Sequence, residues 1–196
     1  MTTVRFNSDG AKRYEAAVLA SLEAGVQAAS LELSGQMTRG FSRGARHTSS
    51  APGTPPNVQT GRLRNSIAVS KSGPLSRRVG TNLPYGMIQE KGGTITGRGG
   101  SLLVPIGAKG KQALRDSGGN VRSLNLMFIK RNGRAPLLAR GGKRGSVEPL
   151  FVLLRSVTLQ ARPWAAPALA KAKPRMGKVF VQYAKQDLRR RIGGAA

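Results

Sequence analysis

Two amphipathic segments at opposite ends of the chain constrain its fold most strongly. Residues 10–38 place apolar side chains at the spacing of an α-helix, which predicts a long N-terminal helix. The C-terminal region, residues 161–196, carries a second stripe at i, i+4 spacing from Met176 to Ile192. Pro174 is expected to kink or break this region into a short helix and a longer one.

The residues between the two helical regions favour short strands. Short apolar runs alternate there with turn residues, and Asn132-Gly133 is a typical hairpin turn between strands at 126–130 and 136–140. The most apolar run, Leu150–Leu159, is predicted to be a central strand. The fold class is therefore α+β: a small, mostly antiparallel β-sheet packed against a long N-terminal helix and a C-terminal helix, with long basic loops.

We expect a single domain over the 196 residues. Residues 39–59 are rich in Gly, Ser, Pro and Arg and are predicted to be a flexible basic arm. Residues 60–160 form the predicted β-rich core, with a basic insertion at 98–145 that is weakly structured over 107–123. Thr60 is the expected N-cap of a short helical turn. The other predicted elements are strands at 67–70, 77–80, 94–96 and 102–106 and a helix at 85–91.

The charge of the chain is strongly unbalanced. Thirty-three Lys and Arg residues face eight acids, which gives a formal net charge of +25. Such a surface repels itself unless counter-charge is supplied, so it predicts a nucleic acid or acidic protein partner. A basic surface that only aids solubility is the alternative. The residues expected to contact DNA or an acidic partner are Arg39, Arg43, Arg46, Lys109, Lys111, Lys130, Arg131, Arg134, Lys143 and Arg144.

No pattern in the sequence predicts an enzyme. The chain has no cysteine, and its single histidine, His47, lies in the arm with no neighbour suited to orient it. The acids are scattered, and the glycine-rich stretches lack the pattern of a phosphate-binding loop. We therefore expect no catalytic residue, cofactor or metal.

The sequence also predicts a location away from membranes. No continuous apolar run approaches the roughly 18 residues of a membrane span. The residues at the N-terminus lack the apolar core of a signal peptide. The protein is expected to be made and kept in a cytoplasm.

Three short blocks, taken together, resemble a family of tailed-bacteriophage neck and tail-completion proteins, also described as minor tail, tail-component or virion-morphogenesis proteins. Each block combines turn residues with a few apolar or charged ones. The first is Pro52-Gly53-Thr54-Pro55-Pro56 with Thr60-Gly61-Arg62-Leu63-Arg64-Asn65-Ser66-Ile67, the second Val79-Gly80-Thr81-Asn82-Leu83-Pro84-Tyr85-Gly86 with Ile88-Gln89-Glu90-Lys91-Gly92-Gly93-Thr94-Ile95, and the third Ala161-Arg162-Pro163-Trp164 with Pro167-Ala168-Leu169.

The resemblance implies a structural virion protein without enzymatic activity. Its subunits would form a homo-oligomeric ring, commonly sixfold, that joins the tail to the head connector around the DNA channel. Neighbouring head-closure, tail-tube or tail-terminator proteins would be its partners, and the neck or proximal tail its location after assembly in the host bacterial cytoplasm. The residues assigned to subunit interfaces are Pro55, Pro56, Arg62, Arg64, Tyr85, Glu90, Arg162 and Trp164.

Two other functions remain open at this point. The chain could be the tail terminator itself, or a basic DNA-binding architectural protein that acts alone. The charge fits the second of these functions, whereas the strand-rich middle of the chain and the paucity of a continuous basic helix fit it less well. Phe41 and Phe128 are the only aromatics near the basic stretches, so a platform for stacking bases is poorly supported.

Overall fold

The computed structural model describes residues 8–41, 44, 49–97, 99–142 and 145–193. Its elements form the predicted α+β mixture of long terminal helices and small antiparallel sheets. The helices are α1 (Ser8–Arg39), α2 (Arg62–Asn65), α3 (Pro84–Lys91), α4 (Gly107–Asp116) and α5 (Ala165–Gly193). The strands are β1 (Ala68–Gly73), β2 (Ser76–Gly80), β3 (Gly93–Thr96), β4 (Leu102–Pro105), β5 (Met127–Arg131), β6 (Arg134–Gly141), β7 (Val147–Leu154) and β8 (Ser156–Leu159).

Helices α1 and α5 pack against each other in antiparallel directions. Gly25 lies against Phe180, whereas Gly40, directly after α1, lies near Trp164, directly before α5. Helix α5 presents small side chains, Ala168, Ala172 and Ala184, all of which are buried. Small residues let two helix backbones approach closely.

The predicted break of the C-terminal region at Pro174 is wrong, because α5 continues through this residue as one helix. Pro174 is exposed, so the carbonyl that loses its helical partner can be hydrated. Ala172 and Ala184 are buried on either side of it, and α1 packs along α5. The predicted apolar stripe also ends early, since Ile192 is 44% exposed.

The eight strands form three antiparallel sheets. The largest has the order β4-β7-β6-β5, and the pairs β1-β2 and β3-β8 form two small ones. The two predicted hairpins are confirmed, the first as β1-β2 and the second as β5-β6 around Asn132-Gly133. The predicted single strand over Leu150–Leu159 is wrong: the chain turns at Arg155, and β7 and β8 enter different sheets. Strand β7 is nevertheless central, with partners on both sides.

The prediction of weak structure over residues 107–123 is also wrong. Residues 107–116 form α4, and a 3₁₀ turn follows at Val121–Leu124. Ala113 packs against the buried Leu150 and Phe151 of β7. Gly110 permits this contact, because a Cβ atom there would lie 2.2 Å from the Leu150 carbonyl oxygen. The helix therefore forms where it can cover the sheet, although it contains Gly107 and Gly110, which disfavour a helix.

A charged cluster fastens the β1-β2 hairpin to α1. The Arg77 guanidinium, whose side chain is only 7% exposed, donates to Glu23 Oε1 at 2.9 Å. It also donates to Gln27 Oε1 at 2.9 Å. Lys71 pairs with the same carboxylate. Hydrogen bonds from Lys71 and Arg77 hold the pKa of Glu23 below its usual value, so the carboxylate is ionised at neutral pH.

Helix α1 is the part of the described chain that is long and apolar enough, by length and composition, to cross a membrane. The sequence analysis expected no such segment. In the structure, α1 packs along α5 and beside the hairpin, and Glu23 and Glu32 on it pair with cations. Core helices of soluble proteins meet the same criterion, so the finding assigns no location.

Candidate assembly interface

The second and third sequence blocks meet where α5 begins. Glu90, on α3, accepts hydrogen bonds at Oε2 from the backbone N–H groups of Trp164 at 2.6 Å and Ala165 at 2.8 Å. Its Oε1 accepts from the N–H of Ala166 at 3.0 Å. The first N–H groups of a helix have no partner within the helix, and they carry partial positive charge. Glu90 therefore caps α5 from a distant part of the chain.

The first block is attached to the same place. The N–H of Gly53 donates to the carbonyl of Ala161 at 2.9 Å. Arg162 donates from its backbone N–H to Gln89 at 2.7 Å and from Nε to the carbonyl of Ser50 at 3.0 Å. Two residues of the arm are thus tied directly to the segment before α5. The described part of the arm makes these contacts within its own chain, without a neighbouring subunit.

Trp164 fills the core beneath this region. It is 5% exposed, and its indole N–H donates to the Gly86 carbonyl at 3.2 Å. Its ring stacks on Phe41, with centroids 5.6 Å apart and planes inclined by 25°. Met37 and Ala168 complete the buried cluster. We call the whole set of contacts around Glu90, Arg162 and Trp164 the arm junction.

The predicted interface residues divide into two groups at the arm junction. Trp164 and Pro56 are buried, and Glu90 and Arg162 make hydrogen bonds inside the chain. These four residues hold the fold of a single chain together. Arg62 and Tyr85 are exposed and accessible to another molecule. Pro55 and Arg64 are half-buried and therefore partly accessible. The interface role of all eight residues remains a prediction.

A groove runs along the arm beside the junction. It consists of two adjoining recesses that share five lining residues: Pro56, Asn57, Gln59, Thr60 and Gln89. One recess has a volume of about 130 Å³ and is walled by Phe41, Val58 and Leu63, with Arg62, Arg64 and Tyr85 at its margin. The other has a volume of about 370 Å³ and is walled by Lys111, Arg115 and Arg162. We call these two recesses the arm groove.

The residues predicted to contact DNA or acidic partners lie on several different elements. Arg39 ends α1 with its guanidinium 3.9 Å from Glu32, and Lys109 on α4 pairs with Glu148. Lys111 lines the arm groove. Lys130, Arg131 and Arg134 are exposed on the β5-β6 hairpin. Arg43, Arg46, Lys143 and Arg144 lie outside the described residues, as does His47.

The sequence analysis missed two features of the surface. Arg115 lies four residues after Lys111 on α4 and shares the groove wall with it, a pairing that only recognition of the helix would have indicated. The edge strand β5 exposes Phe128 by 60% and Met127 by 45%. Successive side chains on a strand point to opposite faces of the sheet, so a sheet with one covered face would expose only one of these two neighbours.

Within the described residues, no three His, Cys, Asp or Glu side chains come close enough together to hold a metal ion. Comparison of the chain with protein-family models, curated proteins and solved structures found no match in any of the three.

Proposed function

We propose that this chain is a structural virion protein of a tailed phage, a subunit of a neck or tail-completion ring that joins the tail to the head connector. The observation that carries the proposal is the arm junction. Blocks that lie about a hundred residues apart in the sequence meet there through direct hydrogen bonds. The three blocks that resemble one family therefore belong to one physical unit, and this supports interpreting them together.

The surface supports an assembly role. Large apolar side chains are exposed on the elements at the outside of the fold. They are Tyr14, Leu19 and Leu31 on α1, Leu169, Val181 and Tyr183 on α5, and Met127 and Phe128 on the edge strand β5. Unpaired edge strands and exposed apolar side chains are the features through which subunits pair with neighbours. A ring of such subunits would occupy the neck or proximal tail of the particle.

The test is a deletion of the gene in the phage that encodes it. We expect full heads and separate tails in electron micrographs, because the joining ring is missing, and joined particles once the gene is supplied in trans. An antibody to the protein should label the neck of joined particles. Normal tailed particles in the deletion strain would rule the proposal out.

A salt titration tests the competing function. A DNA-binding protein acting alone should bind duplex DNA tightly as a monomer, with affinity that falls steeply as salt rises. A ring subunit should bind duplex DNA weakly as a monomer, since its described cations are spread over many elements, including α1, α2, α4, α5 and the β5-β6 hairpin.

A further inference from the structure

We infer that the arm groove binds an extended acidic peptide segment of a different protein. In this arrangement the carboxylates lie against Lys111 and Arg115, and one apolar side chain enters the recess walled by Phe41, Val58 and Leu63. The inference concerns one chain and one ligand segment, so it does not depend on the proposed ring.

The two recesses differ in chemistry in a way that suits such a segment. The larger one is bounded by three cationic side chains, Lys111, Arg115 and Arg162. The smaller one is bounded by apolar side chains and has the exposed Arg62 at its margin. Arginine binds carboxylates through paired hydrogen bonds. The side-chain amide of Gln89, which lines both recesses, is suited to hydrogen bonding with a peptide backbone.

The charges of this chain argue against a second copy as the occupant. The chain has eight acids, and most of them are engaged within its own fold, among them Glu23, Glu32, Glu90, Asp116, Glu148 and Asp187. Asp9 and Glu15 lie on the first turns of helix α1. A helix is about 10 Å across, too broad to lie in recesses of this size. The acidic segment must therefore come from another protein.

The shape of the groove favours a peptide over nucleic acid. A recess of about 370 Å³ is of the size that receives small ligands and side chains, and a DNA duplex could touch only its rim. A single strand would need aromatic faces on which its bases could stack. Tyr85 is the exposed aromatic of the groove, at 40%, whereas Phe41 is 7% exposed and already stacked on Trp164.

The probe for the test is a fluorescein-labelled peptide of Asp and Glu residues with one central Leu, followed by fluorescence anisotropy at about 0.15 M salt, which screens distant charges. The variant Lys111→Gln with Arg115→Gln removes two cations from the groove. The matched control, Lys130→Gln with Arg131→Gln, removes two from the β5-β6 hairpin. We expect the groove variant to weaken binding about tenfold and the control less than about twofold.

Two further measurements keep the test independent of folding. Arg62→Gln changes an exposed side chain at the other recess and should weaken binding several-fold, while thermal unfolding checks that each variant is folded. A peptide with Asn and Gln in place of the acids should bind far more weakly. Equal losses in the groove and control variants would overturn the inference. So would duplex DNA that displaces the peptide and shows the same dependence on Lys111 and Arg115.

Discussion

At the scale of single residues, Glu90 links two segments that lie more than seventy residues apart in the sequence. Its carboxylate receives three backbone N–H groups at the start of α5. Sequence reasoning placed Glu90 in a motif but assigned it to a subunit interface. No local pattern could have revealed the cap, because capping residues are recognised by their position a few places before the helix. A cap supplied from residue 90 depends on the tertiary fold.

We predict that Glu90→Gln lowers the free energy of unfolding by about 1–2 kcal/mol. Glutamine has nearly the same shape but lacks the charge, and it offers one acceptor oxygen where three N–H groups need partners. Urea unfolding followed by circular dichroism measures the change. The control is Glu15→Gln, an exposed acid on α1, which should change stability by less than about 0.5 kcal/mol. Equal effects of the two variants would show that Glu90 acts only through net charge.

At the scale of elements, the sequence predicted those whose signals are local. The helix α1, the β5-β6 hairpin with its Asn132-Gly133 turn and the short α3 ended by glycine are all present. Helix α4 was missed because it is stabilised by packing on Leu150 and Phe151, far along the chain. The continuity of α5 through Pro174 has the same origin, since α1 supports the helix on both sides of the proline. Elements that are stabilised by residues far away in the sequence are harder to predict from their own residues.

The α1-α5 contact yields a prediction at this scale. A Cβ atom on Gly25 would lie 2.8 Å from the Phe180 ring and 2.9 Å from the Phe180 carbonyl oxygen. The ring can rotate away, but the backbone oxygen cannot, so Gly25→Ala should force the helices apart and cost about 1–3 kcal/mol. The measurement is thermal unfolding with a chemical denaturant series at fixed pH.

Gly177→Ala provides the matched control. Gly177 lies within α5 with open space around its Cα, so alanine there removes only the entropic cost of a helical glycine. We expect a gain of about 0.5–1 kcal/mol. If Gly25→Ala were as stable as Gly177→Ala, the close approach of the two helices would be disproved.

At the scale of the whole molecule, the excess of cations governs association. Acids such as Glu23 and Asp187 pair with cations of the same chain. Hydrogen bonds from Arg191 and Arg190 lower the pKa of Asp187, although burial acts in the opposite direction. Little negative charge is left to offset the remaining cations. A sixfold ring would bring together 6 × 25 = +150 formal charges. The total charge, unlike the arm groove, was fully readable from the sequence.

We therefore predict that the isolated protein forms rings only at high ionic strength or with an acidic partner. The screening length falls from about 30 Å at 0.01 M salt to about 3 Å at 1 M, which removes most of the repulsion between subunits. Light scattering across this range measures the oligomer mass. A stable hexamer at low salt, with no partner or nucleic acid, would contradict the prediction.

The pairing of the first helix with the last has a consequence for biosynthesis. The ribosome releases α1 more than a hundred residues before α5, so Met37 on α1 and Phe41 just after it have no lasting partner while the residues between the two helices are made. The arm likewise cannot attach until Arg162 has emerged. Completion of the fold must then wait until α5 has been made. Contacts between such distant residues also close slowly, so the nascent chain is exposed to aggregation for longer than one built from local contacts.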